Sequence, residues 1–197
     1  MKHLYTSLKA YLDELASARP TPGGGGTSAL TAALGIALIT MVARIASRKL
    51  EGKSRQDAER IVESLEKLRR DTQETIDLDP QVYQEVMDSY QRAKAEKDPA
   101  RAQIVVETAL GNSFRLQADL ALLIVMAKEL LAEVKAFAKG SIANDLVVAA
   151  GLLDGAFTGA KATANINAVY VKDPEKKKHF DLALRKLEEQ YRKIHIG

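Results

Sequence analysis

Between Ala29 and Ala46 the chain reads A-L-T-A-A-L-G-I-A-L-I-T-M-V-A-R-I-A, with a single charge at Arg44. This stretch predicts a helix from about Thr27 to about Leu50, apolar nearly all round up to Ala46. A helix without a polar face has to be enclosed by other elements. Alanine and leucine dominate the composition, aromatic residues make up only 5%, and there is no Trp. Such a mixture favours closely packed helices over a sheet, whose strands want Val, Ile, Tyr and Phe. The run falls short of the ~20 apolar residues of a membrane span, as does Leu146–Ala160, and Thr, Gly or Asp interrupts each. Both are expected as central helices of a bundle, with no membrane partner.

The other segments follow the same period. Leu4, Leu8, Tyr11, Leu12 and Leu15 mark a short amphipathic helix within Met1–Ser17. Ser54 with Asp57 reads as a capping box for a third helix that carries Ile61, Leu65 and Leu68 inward. Asp79-Pro80 and Asp98-Pro99 each place an acid before a proline, the signature of a helix start. They predict a fourth and a fifth helix, the fifth running from Pro99 to Ala138 with a bend at Gly111-Asn112-Ser113. After Lys139-Gly140-Ser141 another apolar helix extends to about Asn167, and Asp173-Pro174 opens a last, charged one. No strand and no repeat is evident. The expected fold is all-α, a single-domain helical bundle over residues 1–197 with long, alanine-rich, closely packed central helices.

Several chemistries are excluded or disfavoured. The chain has no cysteine, which rules out disulfides, thiolate catalysis and cysteine-ligated metals. His3, His179 and His195 lie near the termini and do not cluster, so no metal site is expected. A net charge of +3 is too small to imply nucleic acid. Nothing at the N-terminus resembles a signal peptide, and a cytoplasmic location is expected. Acid–base work falls to Asp, Glu, Lys or Tyr.

Three motifs can carry chemistry. Before the long apolar run stands R-P-T-P-G-G-G-G-T-S-A-L, residues 19–30. It lacks the Gly-Lys-Ser/Thr of a phosphate loop and the preceding strand of a dinucleotide site. It reads as a flexible loop feeding a helix N-terminus capped by Thr27 or Ser28, where free N–H groups favour an anion or a carbonyl, or as a plain connection. The second motif, Asn144-Asp145 before Leu146-Val147-Val148, is either a helix cap or an acid whose pKa the apolar surroundings raise. The third is Asp77-Leu78-Asp79 followed by Tyr83 and Tyr90. Arg44, Arg48, Lys49 and Lys53 form one basic face, solvated or receiving a polyanionic tail. Gly151, Gly155 and Gly159 recur every four residues, a groove for close helix packing within a subunit or across a dimer.

P-T-P-G-G-G-G-T-S-A-L-T-A-A-L-G-I-A-L-I-T-M-V-A-R, together with N-D-L-V-V-A-A-G-L-L…G-A…I-N, resembles the signatures of the formiminotetrahydrofolate cyclodeaminase and methenyltetrahydrofolate cyclohydrolase family. The resemblance covers nearly the whole chain. It implies an all-helical homodimer, a folate substrate, and no metal or redox cofactor. Pro22, Gly23, Gly24 and Gly25 match the first motif, while Gly26 stands where the family commonly has serine. Asn144 replaces a serine beside the retained acid Asp145, and Thr163 precedes the retained Asn167. Asp79 matches a family acid, and Lys49 and Lys53 are the nearest equivalents of its lysine-rich segment. On this basis the pterin is expected against Gly23–Gly26 and Asn167, with Pro22 and Asn144 also at the substrate. Asp145 is expected as the proton-transfer group, with Asp79 and Lys49 as further catalytic candidates. Lys49 and Lys53 are expected at the glutamate tail. Because the chain stands alone, the cyclohydrolase activity is the lead and the cyclodeaminase the close alternative. A non-catalytic helical assembly protein is the reading from another class.

Overall fold

The structure is a computed structural model and describes residues 3–195. After a 3₁₀ turn at His3–Tyr5 come six helices: α1 (Leu8–Leu15), α2 (Gly24–Ser47), α3 (Gly52–Ala95), α4 (Pro99–Phe137), α5 (Ala143–Tyr170) and α6 (Pro174–Lys193). No strand occurs among the described residues. The all-α expectation holds.

Helices α2 to α5 form an up-down-up-down bundle in which α2 and α4 each pack between α3 and α5. Contacts along the pairs fix their sense. Gly26 meets Asp79 while Arg44 pairs with Glu66, so α2 and α3 are antiparallel. Gly24 stands by Thr163 while Gly35 stands by Leu153 and Ala149, so α5 also runs against α2. The core is filled by Ile36, Ile39, Leu65, Leu120, Ile124, Leu131 and Leu153, all fully buried. Each contributes about 1.5–3 kcal/mol of burial. Alanines at 29, 32, 43, 127, 149 and 160 let the backbones approach. Gly140, at φ 81, makes the left-handed turn before α5 that a side chain would disfavour.

Helices α2 and α5 are long and apolar enough to cross a membrane by length and composition. In α2 that character serves the interior, since Ile36, Ile39 and Val42 have no exposure. α5 differs, because it leaves Val147, Val148 and Ile166 outward.

Several expected boundaries are corrected. The four glycines are not a loop: α2 begins at Gly24 with Gly23 as its N-cap, and no side chain caps it. Thr27 and Ser28 instead bond backward, to the carbonyls of Gly23 and Gly24. Ser54 caps nothing, since α3 starts at Gly52 behind Glu51. Asp79-Pro80 does not start a helix either, and Pro80 lies inside the 44-residue α3. A proline there removes the bond to the carbonyl four residues back and costs about 3 kcal/mol in an isolated helix. The carbonyl concerned, Ile76, packs against the first turn of α2, 3.5 Å from where a Cβ on Gly26 would stand. Gly111-Asn112-Ser113 does not break α4; Gly111 gives room to Phe180 of α6. At the N-terminus only Leu8–Leu15 is α-helical, and Leu4, Leu8 and Leu12 stay exposed while Tyr11 is buried. Met1 lies outside the described residues.

Candidate active site

The first turn of α2, the middle of α3 and the middle of α4 meet at one carboxyl group. Asp79 Oδ2 accepts the N–H of Gly26 at 2.9 Å, and Oδ1 accepts from Gln117 Nε2 at 2.8 Å. This contact explains the glycines. None of them has a positive φ, so conformational freedom is not their use. A Cβ on Gly25 would overlap Asp79 Oδ1 and Gln117 Nε2, so only glycine lets the carboxylate reach the helix start.

The charge state of Asp79 follows from its surroundings. Burial pushes its carboxyl up from the ordinary aspartate range, against the Gly26 N–H and the Gln117 amide, which pull it down. Burial also raises the Tyr11 phenol, and the charge of Asp79 adds to the rise. Tyr11 is therefore neutral at physiological pH. Gln117 is 1% exposed and its Oε1 has no partner. That amide can turn over, offering its oxygen to a protonated Asp79 where it now offers its nitrogen.

Above Asp79 opens a cavity of about 680 Å³. Its floor is Gly23–Gly25 and Asp79, one wall is Tyr83, Val86, Met87 and Tyr90 of α3, and the other is Thr163, Ile166, Asn167 and Tyr170 of α5. Gly24 is exposed to it. The first N–H groups of a helix have no intrahelical acceptor, and Gly26 N–H is taken by Asp79. Those of Gly24 and Gly25 remain for a ligand at the positive end of the α2 dipole. Asn167 donates to the Thr163 carbonyl through Nδ2, which leaves Oδ1 as an acceptor. The arrangement holds one protonatable carboxyl, two backbone donors and an amide acceptor between tyrosines. It suits a flat heterocycle with polar edges.

Of the residues singled out from sequence, the structure brings together Gly23, Gly24, Gly25, Gly26, Asp79 and Asn167, with the buried Pro22 leading into them. It does not bring Asn144, Asp145, Lys49 or Lys53 to them. Asp145 lies 18 residues before Thr163 on the same helix, about 27 Å at ~1.5 Å per residue. The α5 N-cap is Ile142, without a side-chain cap, so neither Asn144 nor Asp145 fills that place. Lys49 lines a separate cleft with Ile142 and Phe137. Lys53 stands at the start of α3, about 39 Å from Asp79 along the helix. The glycine groove divides: Gly159 packs on Ser28, while Gly151 and Gly155 face open space.

Sequence reasoning missed Gln117, Tyr11 as a site residue, and Tyr170. A signal for Gln117 existed. It falls on the buried stripe of α4 with Phe114, Ala121 and Ile124, a polar side chain where the period calls for an apolar one. Such a residue is there to satisfy another buried polar group.

A helical bundle ending in a tyrosine-walled chamber around one raised carboxyl defines a class of small-molecule site, and comparison supplies the family. Residues 7–186 match the formiminotransferase-cyclodeaminase family, and the chain belongs to it. Over 104 residues it is 36% identical to the methenyltetrahydrofolate cyclohydrolase of Methylorubrum extorquens, a match covering 51% of this chain and 50% of that protein. The chain thus aligns with about half the length of that relative. The crystal structure of formiminotetrahydrofolate cyclodeaminase from Thermotoga maritima superposes with a TM-score of 0.85 at 27% identity, covering 95% of this chain and 91% of that one.

Proposed function

We propose that the protein is a folate one-carbon enzyme that opens 5,10-methenyltetrahydrofolate with water to give 10-formyltetrahydrofolate. The observation that carries this reading is the raised carboxyl of Asp79, held by Gly26 and Gln117 at the floor of the chamber. The 36% identity over 104 residues to a cyclohydrolase supports the choice of reaction.

The chemistry needs one proton moved twice. Water adds to the carbon between N5 and N10 as the Asp79 carboxylate takes its proton. The tetrahedral carbon then expels N5 as its hydroxyl becomes the formyl carbonyl; the same carboxyl returns the first proton to N5, and the hydroxyl proton leaves to solvent. A group serving as base and then acid works best with a pKa drawn toward the operating pH, and burial moves Asp79 that way. Gln117 follows the change of state by presenting nitrogen to the carboxylate and oxygen to the acid. The free N–H groups of Gly24 and Gly25 hold the pterin carbonyl, and Asn167 accepts from its ring N–H groups. No electron changes hands, so we propose no cofactor.

A second reading is favoured by the near-complete structural match to a cyclodeaminase. There N10 attacks the formimino carbon of 5-formiminotetrahydrofolate and its proton passes to the imino nitrogen; Asp79 then protonates the resulting amine, which leaves as ammonia as the C–N bond breaks. Purified protein assayed with both substrates separates the two. Hydrolysis of the methenyl compound alone is expected. Ammonia release alone would replace the first reading with the second, and no turnover of either would remove both.

We also propose a homodimer. Leu34, Ala37 and Met41 on α2 and Val148, Gly151 and Gly155 on the adjoining α5 form one outward apolar face, with Leu34 52% and Val148 49% exposed. A face of this kind on neighbouring helices suits a two-fold copy, whose backbone can approach at the glycines. Light scattering is expected to give twice the 21.5 kDa chain mass, and Gly155→Glu to give monomer. A wild-type monomer at micromolar concentration would contradict it.

A further inference from the structure

A second cavity, of about 530 Å³, lies beyond the first along the same helices. Tyr90 and Tyr170 line both, so the two chambers lie side by side at that pair. Helix α3 passes unbroken from one to the other. It presents Asp79, Tyr83, Tyr90 and Lys94 at steps of four, seven and four residues, which places them on one face. From Asp79 to Lys94 is about 22 Å at ~1.5 Å per residue. The C-terminal end of α5 runs the same way and delivers Lys172 just past Tyr170.

We propose that this second chamber seats the dicarboxylate tail of the ligand, with Lys94 and Lys172 as its cations. The inference rests on the folate reading of the first chamber and extends it. The groove offers, in order, an acid with backbone donors, a pair of tyrosines, and two ammonium groups. A tetrahydrofolate presents, in order, a heterocycle, an aryl ring and a glutamate.

Lys94 and Lys172 are exposed, and among the described residues neither side chain forms an ion pair. The acid between them is already committed. Glu107 is 5% exposed and accepts from the backbone N–H groups of Lys172 and Asp173, from Gln103 and from Lys176. Burial pushes its carboxyl up, but Lys176, Gln103 and the two N–H groups outweigh this and hold it below the ordinary glutamate range. Glu107 thus stays charged, fixes the α5–α6 turn, and uses Lys176 as its counter-ion. Lys94 and Lys172 are left for an incoming anion.

Calorimetric titration of the full chain with tetrahydrofolate and with tetrahydropteroate, which lacks the glutamate, tests this directly. Wild type is expected to prefer tetrahydrofolate by about tenfold, the scale of two partly exposed charge pairs. The double variant Lys94→Gln, Lys172→Gln is expected to bind tetrahydropteroate as wild type does and to lose the preference. Circular dichroism confirms that it folds. A preference that survives in the double variant overturns the tail site while leaving the first chamber intact. Failure of wild type to bind either compound overturns the folate reading and this inference with it.

Discussion

Asp79→Asn is expected to fold, to assemble as wild type does, and to lose at least about a hundredfold in turnover. Loss of a positioned proton-transfer group typically costs about 10²–10⁴-fold. The amide is close in shape, and its oxygen can keep the Gly26 N–H. Its nitrogen can donate to Gln117 once that side chain turns, using the Oε1 that has no partner in wild type. The turned Nε2 takes the place of the unpaired Oε1, so one amide atom of Gln117 is unpaired in either form and the proton is the main loss.

The same substitution has a thermodynamic signature. Burial raises the pKa of Asp79 above its ordinary 3.8, so the folded chain binds this proton more tightly than the unfolded one. Stability therefore falls as pH rises from the ordinary value through the raised one, and the full cost persists above it. An asparagine does not ionise. The variant is expected to be more stable than wild type above that window and to show a flatter pH dependence in thermal melts. Asp145→Asn, made in parallel, is expected to turn over almost normally. The reverse pattern would place the proton transfer at the other end of α5.

The second large effect separates two adjacent glycines. In Gly25→Ala the methyl group overlaps the Asp79 carboxylate, held by the Gly26 N–H, and the fully buried Gln117 amide. Overpacking of this kind costs about 1–3 kcal/mol, and Tm falls by roughly 2–4 °C for each. Activity is lost with it, because Asp79 has to leave its place. In Gly24→Ala the nearest atom, Thr163 Oγ1, is 3.6 Å away, an ordinary contact, and the methyl stands in the chamber. Melting is expected unchanged, while ligand affinity falls by roughly tenfold or more. Calorimetry and thermal melts on the two variants check this. Equal behaviour would show that the glycines form only a connector.

How much of this was legible in the sequence depends on the distance over which each residue acts. The helices were legible because apolar spacing is local, and Asp98-Pro99 and Asp173-Pro174 cap α4 and α6 as their sequence predicts. Asp79-Pro80 carries the same dipeptide and behaves otherwise. Its carboxylate bonds to a glycine 53 positions away, and no local rule reports that. The glycine run reads from sequence as a flexible loop that feeds a helix N-terminus. That it is a helical turn pressed against an acid depends on α3 crossing there. Asp145 drew attention for its apolar neighbours along the chain, yet Val147 and Val148 point outward and the chamber lies at the far end of the helix. The second lysine-lined cavity needs three helix ends brought together, and nothing in the sequence alone places them.

The central claim is that a folate one-carbon unit sits at the Gly24–Asp79–Asn167 chamber. A crystal structure with 5-formyltetrahydrofolate, a stable analogue of the one-carbon adducts, tests it most directly. The account predicts the pterin between the first turn of α2 and Asn167, with the formyl carbon against the Asp79 carboxyl. Density for the folate beside Lys49 and Asp145, with the chamber at Asp79 empty, would contradict it.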